Sequence, residues 1–427
     1  MLQSGGPTAV LNTTLAAVID QARQASSPVR RVLGAQWGFD GLCRGEFLDL
    51  TDLSGDYLHQ LKHTAGAALG TSRFAPSSDD LACAVKHLDA HDVRWVIVIG
   101  GNGSLRGAAA LSKAAKDAGS DLCVVAAPKT IDNDIAGTDR CPGYASAARY
   151  VAQAVADLGA DVRALPQPVS IFETMGRNVG WLGAAAALAK RDEADAPHLI
   201  YLPEKPFDVG TFIGDIDRVL SRHGWCVAAV SEGLRNAGGE AIYEIDHATQ
   251  RDDCNRPLVG GVAGMLADAI TRGLKIRCRS EKPGLCGRAS MVHVAVQDVK
   301  DAELVGRAAV RAVIEGRDGH MISLLPVNVS HAGNGTSGNG NGHARDGYEV
   351  VAIAGAGAER PLPSEWFDGS PLSVGQKFID YARPLVGPLM NHAPPLSEVA
   401  AAARKIEVSV SDNAPTAAVT RNEVQRA

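Results

Sequence analysis

The sequence predicts an α/β protein of two doubly wound lobes with largely parallel sheets. Three observations lead there. Apolar runs of strand length occur at residues 29–35 and from Val93, Leu122, Val169, Leu199, Val227 and Met291, with helical patterns between them. Two of these runs end in a glycine turn and an acidic turn, at the strand ends where open α/β sheets bind ligands. The chain has 427 residues with 45% hydrophobic and only 5% aromatic content, enough to bury a large aliphatic core in two units.

Taken in order, the start is abrupt. Only four residues precede Gly5. Residues 29–35 read as a strand, and residues 38–45, rich in Gly, break it. The run ending at Ile99 leads into Gly100-Gly101-Asn102-Gly103-Ser104 and an Ala-rich helical pattern over 105–118, so helix-start N–H groups face whatever lies above the turn. The run at 122–127 leads into Pro128-Lys129-Thr130-Ile131-Asp132-Asn133-Asp134. Pro142-Gly143-Tyr144 then opens a helical stretch over 145–158, with the Tyr144 ring expected in the core. His198 and His293 also read as satisfied core residues rather than metal ligands.

The first lobe is expected over 1–140 with a return segment over 285–325, and the second over 141–284. Residues 326–427 are expected to form a flexible Gly- and Asn-rich loop, centred on Gly333–Gly342, and a C-terminal extension. The tail after Pro394 reads equally as a short helix or as disordered.

Phosphoryl transfer is the chemistry these two turns suit. A hydroxyl attacking phosphorus needs a carboxylate to take its proton, and the charge on the moving group needs a cation, usually magnesium held by a second carboxylate. Asp132 and Asp134, two apart in an irregular loop beside Lys129, fit that division. Alone, Asp-Asn-Asp reads better as a solvated turn, and a Gly-rich corner often serves only packing. Their order, each after a strand, favours the catalytic reading.

Other function classes fit less well. A net charge of -6 gives no reason to expect nucleic acid. No apolar span reaches membrane length and the first residues lack a signal-peptide pattern, so a cytoplasmic protein with no membrane partner is expected. The 8 cysteines include no CxxC pair, which makes buried free thiols the default over disulfides or zinc.

The chain resembles the 6-phosphofructokinase family, whose members use ATP or pyrophosphate to phosphorylate fructose 6-phosphate. The resemblance rests on Ser4-Gly5-Gly6-Pro7, Leu69-Gly70-Thr71-Ser72-Arg73, the glycine turn, the Lys129–Asp134 loop, Met175-Gly176-Arg177, Ser231-Glu232-Gly233 and Lys282-Pro283-Gly284 running to Arg288. It covers most of residues 1–325, with weaker echoes through Asp380-Tyr381-Ala382-Arg383-Pro384. A phosphofructokinase-like fold is implied, and a homodimer or homotetramer. The resemblance also implies a full strand ahead of the first Gly-Gly, so either that strand is very short here or the start codon is misassigned.

By position, the resemblance implies that Asp132, Thr130, Lys129 and Arg177 carry the chemistry, with Asp132 as general base. Gly6, Arg73, Gly101, Asn102, Gly103 and Ser104 match donor contacts. Thr130, Asp132, Asp134, Met175, Gly176, Arg177, Glu232, Arg279 and Arg288 match substrate contacts, one of the last two arginines reaching across a subunit interface. Guanidinium forks suit phosphate dianions. A Mg2+ ion is implied at Asn102 and Asp134.

Departures from the family pattern bear on donor and acceptor. Gly103 leaves room for a nucleotide and favours ATP, whereas Lys129 is common among pyrophosphate users and Asn102 replaces a metal-linked Asp. Pro168 and Leu285 stand where many members have an Arg and a His, and each lost charge-assisted contact costs about 1.5–3 kcal/mol. The acceptor is therefore fructose 6-phosphate or a sugar phosphate of similar shape. A catalytically silent relative that binds sugar phosphate or nucleotide is a third reading, less favoured because silence does not require a complete aspartate loop.

Overall fold

A computed structural model describes residues 1–166, 168–243, 260–327, 347–353, 358–367, 373–394 and 396–399. The strands are β1 (Leu2–Gln3), β2 (Leu33–Ala35), β3 (Phe47–Asp49), β4 (Trp95–Gly100), β5 (Cys123–Pro128), β6 (Val169–Thr174), β7 (Leu199–Tyr201), β8 (Cys226–Ser231), β9 (Cys278–Glu281), β10 (His320–Leu324) and β11 (Tyr348–Ala352). They form a seven-stranded sheet in the order β11-β10-β5-β4-β1-β2-β3 and a four-stranded sheet in the order β7-β8-β6-β9.

The prediction of α/β architecture with largely parallel sheets holds. All pairs of the smaller sheet are parallel, and only β2 with β3 and β10 with β11 run antiparallel, at the two edges of the larger one. The central strands are buried along nearly their whole length, Trp95 at the start of β4 being partly exposed, as the apolar runs Val96–Ile99 and Val124–Ala127 require when helices cover both faces. On one face the helix Leu11–Ala22 packs against the helix Val296–Ile314; on the other lies the helix Asn102–Asp117.

Register aligns the functional turns. Gln3 pairs with Ile99 and Gly100 with Pro128, so β1, β4 and β5 end level and release three loops side by side. In the smaller sheet Thr174 pairs with Ser231, which brings Met175-Gly176-Arg177 and Glu232 out together. A cleft of about 870 Å³ lies between these two sets of strand ends.

Several expectations need correction. Met291 begins no strand: residues 290–295 are turn and coil between two helices, and Val292 is 89% exposed, with no neighbouring strand to cover it. β3, β9, β10 and β11 were not anticipated. β9, Cys-Arg-Ser-Glu, is a polar edge strand without an apolar run. β11 comes from the region expected as loop and extension and completes one edge of the larger sheet, while residues 333–342 and most of the tail lie outside the described residues. Cys83 and Cys286 are exposed rather than buried, among described cysteines that are all free.

Candidate active site

Three loops from the larger sheet form one wall of the cleft. The chain leaves β1 through Ser4, whose N–H donates to the Ile99 carbonyl at 2.9 Å, and turns at Gly5 with φ +80. The Gly5 N–H donates to Ser72 O at 3.1 Å and the Thr71 hydroxyl donates to Gly5 O at 2.7 Å, which ties this turn to the segment 71–73. Gly100 has a steric reason to be glycine, because a Cβ there would stand 2.2 Å from Ser104 Oγ and 2.9 Å from Ser4 O. Gly101 is the N-cap of the helix Asn102–Asp117 and supplies no side-chain cap, so that helix start with its partial positive charge borders the cleft.

The third loop carries the titratable groups. Lys129 N–H donates to Gly100 O at 2.9 Å and its buried ammonium donates to Gly6 O at 2.7 Å. Burial first, and then Arg288 and Arg73, push the Lys129 ammonium down to about 8. Arg288 itself lies against Gly6, where an added Cβ would meet its Nη1 at 2.8 Å, so three cations surround this turn. Thr130 pairs with Gly143 in an isolated bridge, and the Asp132 N–H donates to Thr130 Oγ1 at 3.1 Å. Asp132 is pushed up to about 7 by burial, then by the neighbouring charges of Asp134 and Glu232, against the pull of Lys129. Asp134 is raised as well, chiefly by burial.

Asn102 and Asp134 meet directly. The Asn102 amide donates to Asp134 Oδ2 at 2.7 Å, and Oδ1 of each side chain is buried with no hydrogen-bond partner among the described residues. The base of this loop is fixed by the helix Tyr144–Ala164, whose first turn is capped by the buried Asp298: Gly143 N–H donates to Oδ1 at 2.7 Å and Ser146 N–H to Oδ2 at 3.1 Å. Tyr144 is fully buried beneath it, as expected.

The opposite wall comes from the smaller sheet. Gly176, with φ +123, donates its N–H to Glu232 Oε1 at 3.2 Å and accepts from Ser231 Oγ at 2.5 Å. Burial raises the Glu232 carboxyl to about 7, with Glu173 adding to it. Glu173 is itself committed to the start of the helix Val262–Leu274, accepting from Gly261 and Ala263 N–H, with Lys282 Nζ at 3.8 Å. Met175, Arg177, Glu232, Lys282 and Arg288 line the same cleft as Gly6, Arg73, Asn102, Gly103, Lys129, Thr130, Asp132 and Asp134.

Two expected residues do not line the cleft: Gly176, set in the turn that bonds Ser231 and Glu232, and Arg279. Arg279 sits on β9, with Asp161 at 3.4 Å, and does not line the cleft of its own chain. Leu285 is a 63% exposed cleft residue, and Pro168 precedes β6 at the strand end remote from the cleft, its carbonyl accepting from Cys226 N–H. The histidines set aside as core residues are half-buried: Val227 N–H donates to His198 Nδ1 at 3.1 Å, and His293 pairs with Ser290 Oγ at 2.8 Å. Sequence reasoning missed Asn178, whose amide donates to Glu359 Oε1 at 2.6 Å, together with Glu359 and Arg360. The echo around Tyr381 was the one sequence signal that pointed to this C-terminal contribution.

The family model for phosphofructokinase matches residues 1–313. The chain belongs to the phosphofructokinase family. It is 38% identical over 333 residues, 76% of this chain and 78% of the relative, to a pyrophosphate–fructose 6-phosphate 1-phosphotransferase of Xanthomonas campestris. A Rhodospirillum rubrum protein of the same description is 35% identical over 393 residues, 90% of this chain and 93% of the relative. Among solved structures, the pyrophosphate-dependent phosphofructokinase from Marinobacter aquaeolei superposes with a TM-score of 0.77 at 27% identity, covering 92% of both chains.

Proposed function

We propose that this phosphofructokinase-family protein transfers a phosphoryl group to the 1-hydroxyl of fructose 6-phosphate, giving fructose 1,6-bisphosphate. The observation that carries the reading is the single cleft in which the Lys129–Asp134 loop faces Met175, Arg177 and Glu232. Asp132 takes the proton of the attacking hydroxyl, and a carboxyl near 7 is well matched to that task at neutral pH. Thr130 and Lys129 hold the transferring group, Arg177 steadies its charge, and Met175, Gly176 and Glu232 position the sugar.

A magnesium ion would supply neutralisation of the donor oxygens. Asn102 and Asp134 fit it, because each keeps one buried oxygen without a partner among the described residues. Among the described residues no cluster of three or more His, Cys, Asp or Glu is built to hold a metal. An ion here would therefore share its coordination with donor oxygens and water, as magnesium commonly does.

For the donor, the reading is pyrophosphate. Lys129, Arg73 and Arg288 concentrate positive charge around the Gly6 turn, which suits a compact polyanion, and both relatives named above carry pyrophosphate in their descriptions. ATP is the second reading and the one the sequence favoured. A Cβ on Gly103 would meet only Arg106 Nη2, at 3.8 Å, and the lining of the cleft extends to Phe74, Pro76 and Ala110, which leaves the glycine side open to a larger donor. Arg279, on an edge strand away from its own cleft, fits a homodimer or homotetramer in which it serves a neighbouring site.

The test is phosphoryl transfer to fructose 6-phosphate by the purified protein with magnesium, offering pyrophosphate and ATP in parallel. Turnover with pyrophosphate alone supports the cation cluster as the deciding feature, and turnover with ATP alone transfers that role to Gly103. Silence with both, while other sugar phosphates are turned over, would refute the acceptor assignment.

A further inference from the structure

The Asp132 loop is gripped from behind by chain that follows β11. Arg360 N–H donates to Asp134 O at 2.8 Å, next to a bridge between Ile135 and Glu359. The Arg360 guanidinium then spends its donors on loop carbonyls: Nε and Nη2 reach Asn133 O at 3.2 and 3.0 Å, and Nη1 reaches Thr138 O at 2.9 Å and Asp139 O at 2.6 Å. A rigid fork with five donors and a permanent charge is suited to holding several carbonyls at fixed angles.

The gripped residue needs holding. Asn133, immediately after Asp132, has φ +56, in the left-handed region that Asn enters more readily than other side chains but still at a cost in conformational energy. Its amide donates to Tyr381 Oη at 2.8 Å, its Oδ1 accepts from Cys141 N–H at 3.0 Å, and the Tyr381 hydroxyl donates to Asp139 O at 2.8 Å. The same arginine also reaches the sugar wall. Its guanidinium carbon lies 4.4 Å from the Trp181 ring centroid, its carbonyl accepts from Trp181 Nε1 at 2.9 Å, and Trp181 follows closely on Met175-Gly176-Arg177.

We propose that Arg360, backed by Tyr381, is a positioning residue for phosphoryl transfer: it fixes the backbone that directly follows Asp132, from Asn133 to Asp139, and couples that loop to the sugar-binding wall through Trp181. The role rests on the assignment of Asp132 as general base. Arg360 itself does not line the cleft, so its removal acts through the placement of Asp132 and not through lost substrate contacts.

The experiment is Arg360→Ala in the full-length protein. We expect kcat to fall ~100-fold while KM for fructose 6-phosphate and for the donor stays within about threefold, the pattern of a misplaced reacting group. Methylguanidinium should restore about tenfold of the lost kcat, which a merely structural defect would not allow. Amide exchange should quicken over residues 130–135 but not in β4 or β5.

Tyr381→Phe, which leaves the guanidinium in place, should lower kcat about fivefold in the same pattern. A folded Arg360→Ala protein with kcat within about twofold of wild type overturns the proposal. Joint loss of kcat, both KM values and exchange protection throughout the chain, with no recovery by methylguanidinium, also overturns it. Should Arg360→Ala fail to fold, Arg360→Lys and Tyr381→Phe decide, and unchanged kcat in both sinks it. If the wild-type protein transfers no phosphoryl group, the functional reading fails, and the exchange measurement over 130–135 still decides whether Arg360 braces the loop.

Discussion

Two segments on the larger-sheet side of the cleft, the Asp132 loop and residues 73–75, are held very differently. In the Asp132 loop, Asn133 and Asp134 are buried, the backbone is bonded to Pro142 O and to Arg360 from a distant part of the chain, and the Asn133 side chain accepts from Cys141 N–H. The segment 73–75, which lines the same cleft, is exposed, and bonds through Thr71 and Ser72 tie its base to Gly5. A proton acceptor must stand within a fraction of an ångström of its target, whereas a polyphosphate can be gathered by long cationic side chains. Changes in the loop should therefore alter turnover, and changes in the donor wall should alter which donor is used.

The strongest way to break this contrast is Asp132→Asn. It should cut kcat by ~10²–10⁴-fold with little change in sugar-phosphate KM, since only the proton acceptor is lost, as steady-state kinetics would register. Next in size is the pH dependence of Lys129. With its ammonium lowered to about 8, it is charged below that pH and neutral above, so kcat/KM for the donor should fall as pH rises through 8. Lys129→Arg should abolish that alkaline limb, because a guanidinium stays charged. Retention of the same limb in the variant would assign it to another group.

Gly103→Asp tests the open side. Its backbone conformation tolerates a side chain, and a carboxylate there should disfavour ATP relative to pyrophosphate by about tenfold in competition, through bulk and charge. An unchanged ratio would remove Gly103 as the donor determinant. The smallest effect is expected at Ser77. Its hydroxyl and Asp80 form a capping box at the start of the helix Ser78–Ala90, just beyond the donor-facing segment. Ser77→Ala should lower stability by about 1 kcal/mol in denaturant unfolding and leave kcat untouched. A drop in kcat would mean that the donor wall also controls the chemistry.

Lys129, Thr130, Asp132 and Asp134 were legible because their chemistry and their place after a strand fall within one short segment. So were the parallel strands whose apolar runs are buried on both faces. The short or polar edge strands β3 and β9 were not legible, because tertiary pairing and not composition makes them strands. Met291 misled for the opposite reason: an apolar stretch forms a strand only where a neighbour offers hydrogen bonds, and Val292 is left to solvent. Arg288 was expected with the sugar contacts, yet its guanidinium rests against Gly6, a placement that no local pattern encodes.

By itself, then, the sequence determined the α/β class, the glycine turn and the Lys129–Asp134 turn that follows a strand, since strand periodicity, helix starts and turn chemistry are local properties of a few residues. Only the tertiary structure decided that Arg360 and Tyr381, more than two hundred residues downstream, close around Asn133, that Lys129 and Arg288 meet at Gly6, and that Arg279 does not line its own cleft. Those are consequences of register and chain return, which bring together groups whose sequence separation carries no signal of contact.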